Sequence, residues 1–311
     1  MISCTEFIPA YSELFAFLEK KEGKEGVDKF WAYLFKPDGK GIPLVNFVKK
    51  EGIKGCFTYW AGSLNEEAAD FTMYLNEKAG WFKIVMHQCP SKGRLLKLKD
   101  EIGITPYPRY CLHCDSYRDA VKQVDLEYIY DFSGMDKASC SIFIYDPKIF
   151  NGKIIIDENT VIMDRRAGDN EYFHKDFHYA LNNGVHYVGE KFGVDGLKEY
   201  LEQYTKNVYN KRLQDVKEKG LKAIEEIILG MYKAEKALDA VETTLTENTL
   251  KVKVKYCPVI KYLVPTGREI SKWFKYVDQF VMPVFARAMG AEFSFNNYNE
   301  EDGSCEFTFK K

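Results

Sequence analysis

The strongest constraint on this chain is that it matches itself. Cys89-Pro90, at the end of FKIVMHQCP, falls on Cys257-Pro258, at the end of LKVKVKYCP, at an offset of 168 residues. At the same offset residues 48–55 fall on residues 216–223, with Gly52 over Gly220. A second anchor follows in the same order: residues 126–144 fall on 291–309 at an offset of 165, and Cys140 lies over Cys305. A period this long describes duplicated domains rather than a solenoid of short repeats. The expected organisation is a first copy over residues 1–145, a connecting segment over 146–167 and a second copy over 168–311.

Within each copy the apolar spacing predicts helices, then a strand, then a helix, then a two-stranded finish. Residues 15–34 and 197–211, and likewise 43–60 and 223–241, carry apolar side chains at helical spacing. Residues 81–88 and 250–256 alternate apolar with polar and stop at Cys-Pro, where proline ends strand pairing but suits a helix start. Residues 107–124 and 272–288 are again expected to be helical. The segments 126–132 with 139–145, and 291–295 with 305–309, read as hairpins whose turns carry Gly134 and Gly303. In the connecting segment, 154–156 and 160–163 are expected to pair around Asp157-Glu-Asn-Thr. The fold class this predicts is α+β, with two tandem copies of a helix-covered antiparallel-sheet unit packed together.

Composition narrows the function classes. The 44 basic and 46 acidic residues are mixed along the chain and leave a net charge of −2, which lacks the basic footprint of a nucleic-acid binder. Residues 280–291 are apolar but carry Pro283 and Arg287 and fall short of the roughly 20 residues a membrane span requires. The N-terminus has no basic region, and Glu6 and Glu13 interrupt its apolar stretch, so a cytoplasmic protein with thiol-state cysteines is expected.

Two clusters of chemically capable side chains stand out. Cys111-Leu-His113-Cys114-Asp115 follows the Pro106-Tyr-Pro108 bend and places two thiols, an imidazole and a carboxylate at an expected helix start. There the helix dipole would favour thiolate, suiting a catalytic nucleophile or a metal ligand. A closed four-ligand zinc site would need a second cysteine pair at similar spacing, and only the fold could bring Cys89 and Cys140 close. The pairs Cys89/Cys257 and Cys140/Cys305 persist in both copies, as core thiols do.

The second cluster is His174-Lys-Asp176-Phe-His178. If helical, His174 and His178 face one side and can hold a divalent metal, Zn or Mn, with Asp176 or Glu171 as an oxygen ligand. The alternative is a structural histidine cluster. Each cluster exists in one copy only, so Cys114 or His113 is expected within about 10 Å of His174 and His178, in one shared site. Arg109 and Arg118 are candidates for holding an anionic small-molecule ligand by paired hydrogen bonds, or else ordinary ion-pair arginines.

These residues resemble the L-2-amino-thiazoline-4-carboxylic acid hydrolase family. The resemblance rests on Cys89-Pro90, Cys111/Cys114 with Asp115, and Cys140 in the first copy, and on Cys257-Pro258, Asp278 and Gly303-Ser-Cys305-Glu-Phe307 in the second. The first copy departs from it with Ala138-Ser-Cys140-Ser-Ile142, and the second lacks the helix cysteine. The resemblance implies hydrolysis of a carbon–nitrogen bond in a small, anionic, cyclic amino-acid derivative, assisted by a metal or a thiol. The alternative is a non-catalytic protein that binds or senses a small molecule or a metal.

Overall fold

The structure is a computed structural model that describes residues 1–35 and 43–311. It is α+β, with two antiparallel sheets and helices set against them. The chain divides into two compact units, Leu18–His174 and Met1–Phe17 with Lys175–Lys311.

The division falls inside α1 (Phe7–Leu34). Residues 1–17, expected with the first copy, join the unit of the second because they bury their apolar side chains there. Ile2, Ile8, Leu14 and Phe15 are fully enclosed. Phe7 stacks on Phe177 with 4.5 Å between ring centroids, and Phe17 meets Phe192 edge-on at 5.6 Å.

In the unit Leu18–His174, α1 is followed by α2 (Pro43–Glu51), α3 (Lys54–Glu66), β1 (Asp70–Asn76), β2 (Trp81–Gln88) and α4 (Pro90–Ile102). A 3-10 turn over Tyr110–Ser116 leads into α5 (Tyr117–Lys122), β3 (Glu127–Asp131), β4 (Cys140–Tyr145) and β5 (Val161–Arg165). The sheet order is β3-β4-β2-β1-β5. Alternation sets one face toward the helices, so Phe71 and Met73 of β1, Ile84 of β2, Tyr128 of β3 and Ile144 of β4 pack with Trp60 and Leu64 of α3. Trp60 stacks on Phe82 at 5.6 Å.

Four expectations shift here. The helix over 43–60 is two helices, because Gly52 at φ 62 turns the chain into a left-handed conformation that L side chains rarely adopt. The strand β1 was unanticipated, since its consecutive buried residues hide the alternation. The helix over 107–124 shrinks to the 3-10 turn and the six-residue α5. In the connecting segment no hairpin forms: Val161–Arg165 pairs with β1, Leu75 opposite Val161, while Ile154, Ile155 and Ile156 lie exposed outside any strand.

The other unit contains α6 (Phe177–Val208), α7 (Asn210–Lys219), α8 (Leu221–Ala234), β6 (Val241–Leu245), β7 (Thr249–Val254), α9 (Pro258–Leu263), α10 (Tyr276–Ala288), β8 (Glu292–Asn296) and β9 (Cys305–Lys310). Its sheet runs β6-β7-β9-β8, the same path as β1-β2-β4-β3. Leu250, Val252, Phe307 and Phe309 are buried, as are Ile224 and Ile228 of α8 and Val281 and Phe285 of α10. The expected helix over 223–241 stops at Ala234, and a 3-10 turn over Leu238–Ala240 leads into β6.

Element order and local geometry correspond between the two copies. The helices α1 and α6 are each bent at a glycine of nearly the same conformation, Gly23 at φ 68, ψ −170 and Gly193 at φ 66, ψ −166. Cys89 and Cys257 are the N-caps of α4 and α9, and Cys140 and Cys305 open β4 and β9.

Candidate functional site

The motif Cys111-Leu-His113-Cys114-Asp115 lies in the 3-10 turn of the unit Leu18–His174, and β3 holds it from beneath. The Tyr128 hydroxyl donates to the Cys114 carbonyl at 2.8 Å and the Tyr130 hydroxyl to the Cys111 carbonyl at 3.2 Å. Arg118 completes the clamp, donating to the Tyr128 carbonyl at 2.7 Å and to Asp115 at 2.6 Å. Asp115 and Arg118 are thus occupied in fixing the turn. Arg109 is likewise engaged, with Asp28 at 2.8 Å and over the Trp31 ring at 5.3 Å. Each arginine thus holds a carboxylate of its own unit.

The fold brings Cys89 and Cys140 toward this turn. Cys140 pairs with Met86 near the end of β2, and the Cys89 amide, just beyond that strand, donates to the Ala138 carbonyl at 2.6 Å. Cys89, Cys114 and Cys140, spread over 52 positions of sequence, therefore pack against the same apolar core.

Burial sets the protonation of these groups. It pushes the Cys89 thiol up to about 12 and Cys140 to about 11, and raises Cys111 and Cys114 as well. The expected thiolate at a helix start is not what this environment favours. The six residues of α5 begin after the cysteines, so the desolvation of the thiols outweighs any dipole. Burial also lowers the His113 imidazole to about 4, against the pull of the Tyr110 carbonyl.

The geometry of His113 is specific. Its Nδ1 lies 2.5 Å from the Tyr110 carbonyl oxygen, which can only accept, so Nδ1 carries the proton. Nε2 then presents its lone pair to the Cys114 sulfur at 3.5 Å. Thiol, imidazole and an orienting carbonyl stand in the order a nucleophile, its general base and the base's anchor require.

Each residue of the expected metal set has a partner of its own. His174 precedes the first turn of α6, which starts at Phe177, so it does not share a helix face with His178. Its Nδ1 lies 2.7 Å from Glu66. Asp176 is held by Arg268 and by the Tyr262 hydroxyl, the latter at 2.6 Å. His178 belongs to the other unit, where it meets Glu235 at 2.9 Å. Glu67, Glu235 and Cys4 were not singled out in the sequence, because no motif or spacing marks them. The two glutamates share a place, each capping the C-terminus of the helix before its hairpin, with left-handed Ala68 (φ 49) and Lys236 (φ 55) following.

All eight cysteines are free thiols, as expected, and none of the described helices is long and apolar enough to cross a membrane. No family model matches the chain, and no curated protein and no solved structure matches it either.

Proposed function

We propose that the unit Leu18–His174 is a thiol-dependent hydrolase that opens a carbon–nitrogen bond in a small, anionic, cyclic amino-acid-like molecule. The observation that carries this reading is the Cys114–His113–Tyr110 arrangement, 3.5 Å and 2.5 Å along its two links. As the Cys114 sulfur attacks the electrophilic carbon, its proton passes to His113 Nε2, and the imidazolium returns that proton to the departing nitrogen. A water, deprotonated by the same Nε2, then releases the carbon from sulfur and restores the thiol. Because burial keeps both partners neutral at rest, the proton moves during attack rather than beforehand.

Ring opening of L-2-amino-thiazoline-4-carboxylate, followed by chromatography, tests the reading. Cys114→Ala and His113→Gln should each remove most turnover, and the double variant should fall little further, since groups acting as a unit are non-additive. Turnover that survives Cys114→Ala ends the thiol mechanism. A second reading is binding without turnover, favoured by the packing of Cys89, Cys114 and Cys140 against the apolar core. It is the one left if calorimetry detects binding of the same molecule and no ring opening occurs.

A further inference from the structure

The unit Met1–Phe17 with Lys175–Lys311 contains a convergence of a different kind. Cys4, His178 and Glu235 each present one ligand atom, and these three atoms lie within 4.8 Å of one another. Among the described residues this is the one group of three or more cysteine, histidine or acidic side chains that is so closely drawn together. All three residues are enclosed, at 1%, 1% and 3% exposure. Cys4 comes from the 3-10 turn Cys4–Glu6, His178 from the first turn of α6, and Glu235 from the C-cap of α8. The Cys4 amide donates to one Glu235 oxygen at 2.6 Å while His178 Nε2 meets the other at 2.9 Å.

The geometry points to a binding site for one divalent ion of the zinc class, held by the Cys4 sulfur, a His178 ring nitrogen and a Glu235 oxygen. Zinc bonds of about 2.3 Å to sulfur and about 2.0–2.2 Å to nitrogen and oxygen set neighbouring ligand atoms roughly 3.3–3.8 Å apart, so side-chain adjustments of about 1 Å separate this arrangement, with its ligand atoms within 4.8 Å, from coordination. The charges also suit. A thiolate and a carboxylate with a neutral imidazole sum to −2, which a dication cancels in a place where uncompensated charge is costly. On binding, the ion takes the place of the proton on the Cys4 sulfur, which leaves to solvent, while His178 coordinates through one ring nitrogen and keeps its remaining proton on the other. The mixed sulfur, nitrogen and oxygen set favours zinc or cobalt over magnesium or calcium, which take oxygen ligands. The site is separate from the thiol–imidazole pair, and neither proposal rests on the other.

The test is titration of chelator-treated whole protein with cobalt(II), followed by its thiolate charge-transfer and visible bands, with X-ray absorption on the zinc form of the unaltered chain. One equivalent should bind, with one sulfur and two or three nitrogen or oxygen neighbours around zinc. Cys4→Ser should abolish the charge-transfer band, and Glu235→Gln should weaken binding more than about tenfold. The absorption measurement needs no variant, so it decides the matter even where a substitution impairs folding. Failure to bind one equivalent, a zinc shell of three or four sulfurs, or a band that survives Cys4→Ser would overturn the assignment; the last two would place the ion at the Cys89, Cys111, Cys114 and Cys140 thiols.

Discussion

Replacing Glu67 by glutamine exposes the electrostatic cost carried near the thiol turn. Glu67 caps α3, and burial lifts its carboxyl from the ordinary value of 4.5 to about 7, with His174 opposing the rise and Glu66 adding to it. Between pH 4.5 and 7 the folded chain therefore keeps a proton that the unfolded chain has lost. The stability this group contributes is whole below about pH 4.5 and drains away as pH rises through about 7. At about 1.4 kcal/mol per pKa unit the loss reaches about 3 kcal/mol by pH 8, an upper bound because the side chain is only half-buried. Glutamine keeps the shape and never ionises. Glu67→Gln should thus match the parent near pH 4.5 and exceed it by up to about 3 kcal/mol at pH 8. Urea unfolding at a series of pH values, followed by tryptophan fluorescence, measures the difference, since Trp31, Trp60 and Trp81 all belong to this unit. A gap that stays constant with pH, or widens toward acid, refutes the reasoning.

Two further outcomes follow from the same structure. Burial holds His113 at about 4, so the parent should lose up to about 3 kcal/mol as pH falls from about 6.5 to about 4, where the unfolded chain alone takes up the proton; His113→Asn should flatten that limb in acid unfolding. Gly193→Ala should destabilise by about 1–2 kcal/mol, because the bend of α6 needs φ 66, whereas Gly230→Ala in α8, with nothing within 4 Å of the added carbon, should stabilise by up to about 1 kcal/mol; thermal unfolding of both variants checks the contrast.

Period and alternation by themselves determined the α+β class, the strand Trp81–Gln88 ending in Cys-Pro and the paired strands β3 and β4, because those features depend on neighbours a few residues apart. The same local reading also found Cys111, His113 and Cys114, and their adjacency made the thiol–imidazole pair legible once Tyr110 fixed the ring. It failed where the deciding partner was remote. β5 pairs with β1 rather than with 154–156 because the open edge of a sheet offers hydrogen bonds that a short exposed hairpin does not. His174 and His178 look alike at four residues' spacing, yet only the folded chain starts α6 between them and gives each a different glutamate. Desolvation, which raises the thiols and lowers His113, is likewise a property of what packs around a group and not of its place in the chain. The clearest case is Cys4 and Glu235, 231 residues apart, which no spacing rule could join. Only the closing of the residues around α6 and α8 into a core sets them side by side.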